Sequence, residues 1–270
     1  MTSADEFGAQ EILGYGAYLC LRRTDAGDAG TAGAARVAAL AERLELKNEF
    51  DAGGTPPRES IAFLRRHGAT PADIADEELL QADAVIHVAS KRPEVIPEFC
   101  GEASRLFAPT ARVRVLSGVV RPKSYTGAAM DKWAYAHAVV QQAGVVMPNA
   151  FLVPLSKTAD WWRKDWMERH TYFLPRYDDE GRMLNEGHAL ATAAGIPCLL
   201  RRTYRSPTQP AADGEYDFVT YFECADADVP TFHQVCAALR DTKRNPEWRF
   251  VREGPTWHGR RVASAEALFI

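Results

Sequence analysis

The chain has 270 residues, 46% apolar and 25% charged, an ordinary globular balance with room for two domains of about 110–150 residues. A net charge of −4 with no Lys/Arg-rich run argues against a nucleic-acid or anionic-membrane partner, and no apolar run reaches the roughly 18 residues of a membrane span. The opening MTSADEFGAQEILGYG has neither a basic start nor a long apolar core, so we expect no secretory leader. Cys20, Cys100, Cys198, Cys224 and Cys236 are scattered without a CxxC, which fits reduced thiols of a cytoplasmic protein.

GAYLCLRR (16–23) reads as a short strand, and the Gly/Ala/Asp-rich TDAGDAGTAG after it as a loop. AARVAALAERLEL places Val37, Leu40 and Leu44 at helical spacing. DAGGTPPRES breaks the chain, and Ser60 caps or opens IAFLRRHG. ADAVIHVAS (82–90) reads as a buried strand and PEVIPEFCGEASRLF as a helix entered through a proline. ARVRVLSGVV (111–120) alternates like a strand, with Gly118 marking a bulge.

The same order then recurs. NAFLVPLS (149–156) is strand-like, DEGRMLNEGHALATAAG is helix-like as far as Gly195, and IPCLLRRTYRS is strand-like again. YDFVTYFEC (216–224) is aromatic and β-branched, a strong strand. VPTFHQVCAALRDTK sets Val229, Phe232, Cys236 and Leu239 on one helical stripe, and PEWRFVRE is placed to close the sheet. Residues 12–125 and 146–270 therefore form two halves in ferredoxin-like order. The fold expected is α+β: two ferredoxin-like halves making a dimeric α+β barrel, with antiparallel sheets inside and helices outside.

Four residue groups stand out chemically. His188 shares a helical face with Met183, Leu184, Ala191 and Thr192, where it is either a satisfied core histidine or a ligand. Gly187 beside it costs roughly 0.5–1 kcal/mol in a helix interior, which fits either close approach of a flat ligand or a local helix break. Arg201 and Arg202 are adjacent in a strand, so they point to opposite faces. If one sheet face is the core, one of them enters it and needs an acid or an anionic ligand; otherwise both strand faces are partly wet. Trp161 and Trp162 cannot share one pocket; with Lys157 they either wall a flat cofactor or pack a core. His170 is a second, weaker ligand candidate.

In this order the motifs from about Ala111 to Val262 resemble the chlorite dismutase family of haem proteins. VRVLSGVVRPKSY is similar to that family's strand leading to a tyrosine by a haem propionate, here Tyr125. VPLSKTADWW is similar to its strand, lysine and double-tryptophan segment, which implies that Lys157 and Trp161 lie near the propionates. GHALATAAGIPCLLRRTYRS is similar to its segment from axial histidine to distal strand, implying His188 as the iron ligand and Arg201 as the distal catalytic arginine. DFVTYFE implies Thr220 and Phe222 in the distal pocket, and GRRV matches the closing stretch. Val153 stands where the coproheme decarboxylases of the superfamily carry a tyrosine.

The resemblance implies a haem b cofactor, a small-anion or small-molecule substrate, and a homo-oligomer, dimer or pentamer. It implies decomposition of chlorite to chloride and dioxygen, with a biosynthetic haem enzyme acting on an organic nitrogen or oxygen compound, or using peroxide, as the alternative. Two departures bear on the choice. About a dozen extra residues lie between Trp162 and His188. The acid that should accept the ligand histidine's N–H falls in DTKRNPE, with Lys243 or Arg244 at the expected place and Asp241 and Glu247 nearby.

Overall fold

The computed structural model describes residues 11–24, 30–49, 58–121, 137–140, 142 and 144–270. Eight strands carry the architecture: β1 (Gly14–Arg23), β2 (Ser60–Thr70), β3 (Ala84–Ser90), β4 (Ala111–Val120), β5 (Asn149–Lys157), β6 (Leu200–Arg205), β7 (Phe218–Cys224) and β8 (Thr256–Val262). Four helices cover them: α1 (Gly30–Arg43), α2 (Val95–Phe107), α3 (Gly187–Ala191) and α4 (Val229–Arg240).

Pairing follows the order β7-β6-β4-β1-β3-β2-β8-β5, and β5 pairs β7 to close the ring. All eight junctions are antiparallel. Within the ring the first four strands run β4-β1-β3-β2 and the last four β8-β5-β7-β6, the same ferredoxin-like arrangement twice. The two seams between these halves are unequal. β8 pairs β2 over seven positions, from Thr256↔Thr70 to Val262↔Phe63, whereas β4 meets β6 at Val119↔Arg205 alone.

Period-two alternation sorts each strand's side chains between the barrel interior and the helices. In β1, Tyr18 and Cys20 point inward, with Leu116, Leu152, Tyr204, Tyr221 and Trp257. Ala17, Leu19 and Leu21 point outward under Val37 and Leu40 of α1 and Phe99 and Phe107 of α2. Leu268, near the end of the chain, joins this outer cluster. On the other half Phe151, Val153, Phe222 and Cys224 point outward under Ala191 of α3 and Phe232, Val235 and Leu239 of α4.

Three local expectations are corrected. β1 and β4 pair without interruption past Gly118, so there is no bulge; a Cβ there would sit 2.6 Å from the Arg205 carbonyl oxygen, and the glycine lets the two halves touch. The irregularity lies instead in β8, between His258 and Gly259. PEWRFVRE does not close the sheet: Pro246–Phe250 is a 3-10 turn, and Val251–Glu253 adds beside the end of β5, while Thr256–Val262 closes the ring. The long helix expected before Gly195 is also absent. Met183–Asn185 is a strand paired with Arg176–Tyr177, and helix begins only at Gly187.

Candidate functional site

α3 starts late because its N-terminal end is fixed at Gly187. Gly187 has φ +62°, and a Cβ there would meet the Leu174 carbonyl oxygen at 2.4 Å, so a residue with a side chain would be strained and displaced. That is the helix break rather than the approach of a ligand. The amides of Glu186 and Gly187 donate to the Arg244 carbonyl at 2.9 and 3.1 Å, and those of His188 and Ala189 donate to Tyr172 and Phe173 at 3.2 and 3.0 Å. The extra residues after Trp162 thus supply acceptors for a helix N-terminus that would otherwise hold orphan donors.

His188 Nδ1 lies 2.7 Å from Glu247 Oε2, and the other carboxylate oxygen accepts from Lys157 Nζ. This corrects the expected departure at DTKRNPE: the acid is present, three residues beyond Arg244. Asn245 sets its position, with its side chain donating to the Leu239 carbonyl at 3.0 Å and its amide to Asp241 O at 2.7 Å. Arg244 holds Glu186 through Nε and Nη2, both at 2.9 Å. Burial alone would raise the Glu247 carboxyl. The charges of Lys157 and His188, with their hydrogen bonds, overcome it and bring the group down to about 2. Glu247 is therefore an anion at neutral pH and can accept the Nδ1 proton; in that tautomer of the neutral imidazole the lone pair lies on Nε2. That nitrogen makes no hydrogen bond among the described residues, and the side chain is 22% exposed.

Lys157 is 5% exposed, and its ammonium stands 4.3 Å from the centroid of the Trp161 ring. Burial pushes it below the ordinary lysine value, against the pull of Glu247. Trp161 is buried among Tyr172, Phe173 and Phe250. Trp162 turns the other way, onto Phe218, and donates to Asp217 Oδ2 at 3.2 Å. The same carboxylate oxygen accepts the Lys157 amide at 2.7 Å. His188, Lys157 and Trp161 thus belong to one group, in which the lysine and tryptophan back the histidine through Glu247. His170 lies on the short helix Trp166–Thr171, apart from that group's hydrogen bonds.

A second group lies on the outer face of the second half. Register places Arg201 opposite Phe222, Thr203 opposite Thr220, and Val153 opposite Thr220. Arg201 is exposed, Thr220 half-buried and Phe222 buried, with its ring 5.4 Å from Phe232. Ala191, one turn on from His188, packs in the same cluster as Phe222 and Val153. The histidine's helix therefore covers the sheet face that carries Arg201. Arg202 points the other way, into the barrel, where it pairs with Glu49 at 2.5 and 2.9 Å. Tyr125 lies outside the described residues.

No sequence family model matches the chain, and no curated protein matches it by sequence. Solved structures do. Chlorite dismutase from Candidatus Nitrospira defluvii in complex with imidazole is 20% identical, with 96% of this chain and 94% of that one covered and a TM-score of 0.67. An arginine-to-lysine variant of that enzyme gives 19%, 96%, 94% and 0.66. A tryptophan-to-phenylalanine variant in complex with cyanide gives 20%, 96%, 95% and 0.66. This is the chlorite dismutase fold. At that coverage the superposition reaches across both halves of the barrel, the first of which is similar in sequence by element order alone. Among the described residues no helix is long and apolar enough to cross a membrane.

Proposed function

We propose that the chain is a haem-dependent oxidoreductase of the chlorite dismutase family that decomposes chlorite to chloride and dioxygen. The observation that carries this reading is His188, whose Nδ1 lies 2.7 Å from the buried Glu247 carboxylate and whose Nε2 makes no hydrogen bond among the described residues. That arrangement fits a metal-ligating imidazole, because the acid fixes the tautomer and ring orientation and raises the ligand's basicity. Among the described residues no three His, Cys, Asp or Glu side chains form a metal-holding group. A metal at His188 would bring its remaining ligands with it, as iron in a porphyrin does.

When bound, haem b would supply the redox-active iron at which chlorite is converted. The chain's own residues would do the rest. His188 would hold the cofactor through Nε2, and Glu247, kept ionised by Lys157, would retain the Nδ1 proton and make the imidazole a stronger donor. Trp161 and Lys157 serve this group from behind; the structure supports that role for them more than contact with propionates. Arg201 would bind the oxyanion by charge-assisted hydrogen bonds, since guanidinium is cationic at all relevant pH and presents a planar fork. Phe222 and Val153 would exclude water around it, and Thr220 would offer a hydroxyl.

The extra residues after Trp162 dock on the His188 side, so they lend nothing to a widened substrate pocket for an organic compound. We keep a homo-oligomer as part of the proposal, readable from the mass in solution. The deciding measurement is a haem titration followed by the Soret band, then oxygen release from chlorite at an electrode. Arg201→Ala should retain the Soret band and lose oxygen release by about 100-fold or more, the scale of removing one preorganised charge stabiliser. Absence of a Soret band in the unaltered protein would end the proposal.

A further inference from the structure

The barrel interior holds a side-chain cluster that the candidate site does not use. Tyr204 of β6 and His87 of β3 come from different halves, and they are 2% and 0% exposed. Tyr204 Oη lies 2.9 Å from His87 Nε2. The other ring nitrogen, Nδ1, lies 3.3 Å from Glu49 Oε1 and 3.1 Å from Arg202 Nη1. Arg202 clamps both oxygens of Glu49, and Ser60 Oγ donates to Oε1 at 2.9 Å.

Proton counting selects the tautomer. If Nε2 carried the imidazole proton, it would donate to Tyr204 Oη, and the phenol's own proton would have no acceptor, because Oη makes no other hydrogen bond among the described residues. Buried donors are rarely left in that state. With the proton on Nδ1, 3.3 Å from Glu49 Oε1, Nε2 is bare and takes the phenol proton, while Arg202 Nη1, which can only donate, gives its hydrogen to Glu49 Oε1 at 2.5 Å rather than to Nδ1. The result is a line from the Tyr204 hydroxyl through His87 to the Glu49 carboxylate.

A line of this kind favours one chemistry. Burial pushes the Tyr204 hydroxyl above its ordinary value, so it does not ionise alone. Burial also lowers His87 against the pull of Glu49, which keeps the imidazole neutral and able to accept. Removing an electron from a phenol makes its O–H strongly acidic, so the electron leaves readily only when a base is already in place. We propose that Tyr204 is a one-electron redox site: it gives one electron to a high-potential one-electron oxidant and its hydroxyl proton to His87 Nε2. The products are a neutral phenoxyl radical and an imidazolium paired with Glu49; one electron from a reductant and return of the same proton restore the start.

The neighbouring tyrosines are poorer sites. Tyr18, its ring 5.5 Å from that of Tyr204, has a buried hydroxyl with no hydrogen-bond partner among the described residues. Tyr221 donates to Glu223 at 2.7 Å, but that carboxylate is already taken by Arg261. The rings can still relay charge, since Tyr18 and Tyr221 stand 5.4 Å apart and Tyr221 adjoins Phe222 of the outer face. In a haem-loaded protein the oxidant would be the cofactor across the sheet, and that clause alone rests on the reading above.

The test uses the full chain without haem, oxidised by photogenerated ruthenium(III) tris(bipyridyl) and read by transient absorption and electron paramagnetic resonance. A long-lived neutral tyrosyl radical is expected, coupled to one exchangeable proton and losing that coupling in deuterated water. Tyr204→Phe should abolish it, Tyr18→Phe and Tyr221→Phe should retain it, and His87→Gln should remove the exchangeable coupling. An undiminished long-lived signal in Tyr204→Phe overturns the proposal. If that variant does not fold, a radical in the unaltered chain with no exchangeable coupling overturns it equally. No haem enters the experiment, so its failure and that of the haem reading are separate events.

Discussion

The two halves of the barrel share one topology and differ in what lies on their outer faces. On the first, α1 and α2 run 14 and 13 residues, and their apolar stripes meet Leu19, Leu21, Ile86 and Val88. Arg43 ties the two helices together through Glu98 and Glu102 at 2.6 and 2.7 Å, and Leu268 closes the cluster from the end of the chain. On the second half α4 is comparable at 12 residues, but its counterpart α3 has five. The lost turns are replaced by a chain segment that fixes α3 by its backbone and leaves one imidazole nitrogen unused. The same layered arrangement is sealed by long helices in one half and opened by a short one in the other, and the candidate chemistry sits where the seal is short.

The adjacent arginines of β6 give the sharpest break of this comparison. Arg202→Ala would leave Glu49 buried with its main cation gone and should lower unfolding stability by about 3–5 kcal/mol. Arg201→Ala, on the exposed face, should stay within roughly 0.5 kcal/mol. Denaturant unfolding of both variants measures the contrast, and equal losses would show that the strand does not divide structural from chemical duty.

Next comes the sealed half. Phe99 is 0% exposed between α2 and the sheet, and Phe99→Ala should cost about 3–5 kcal/mol while leaving the haem titration of the folded protein unchanged. His188→Ala should do the reverse, abolishing the Soret band with a stability change of about 1 kcal/mol or less. A Soret band that survives His188→Ala removes the assigned ligand.

Glu247 sharpens the comparison through pH. Its folded value of about 2 lies below the ordinary 4.5, so its contribution is fully present above pH 4.5 and is lost as pH falls through 2. The gap corresponds to about 3 kcal/mol. Glu247→Gln should therefore be less stable than the parent at pH 7 by about that amount, with the difference shrinking between pH 4.5 and 2. A constant difference across that range would mean that the carboxylate is not held ionised by Lys157 and His188.

Much of the fold was legible in the sequence because strand alternation and the α4 stripe are local signals. β4 was read at its observed bounds, and the repeated element order led to the two-half barrel. The segment before His188 reads as helix in the sequence because Met183, Leu184 and His188 mimic a helical face, whereas Met183–Asn185 is a strand. Only the positive φ of Gly187 and its contact with Leu174 show that the helix starts later. Glu247 was one of two nearby acids and could not be chosen, since Pro246 ends regular helical spacing there. The partner of Arg202 was out of reach for another reason: Glu49 is 153 residues away in the chain, and nothing local marks it. The adjacency of Arg201 and Arg202 did signal that one of them needed such a partner.

The unequal seams have a mechanical meaning. Along β2 and β8 the barrel is bound like the spine of a book, whereas along β4 and β6 the covers meet at one point, Val119 against Arg205. Any breathing of the closed wall begins at that fore-edge, so the amides flanking this contact would be the first of the barrel to exchange with solvent. The fore-edge strand β6 is also the one that carries Arg201 and Tyr204, so the page that opens most easily is the one on which both proposed chemistries are written.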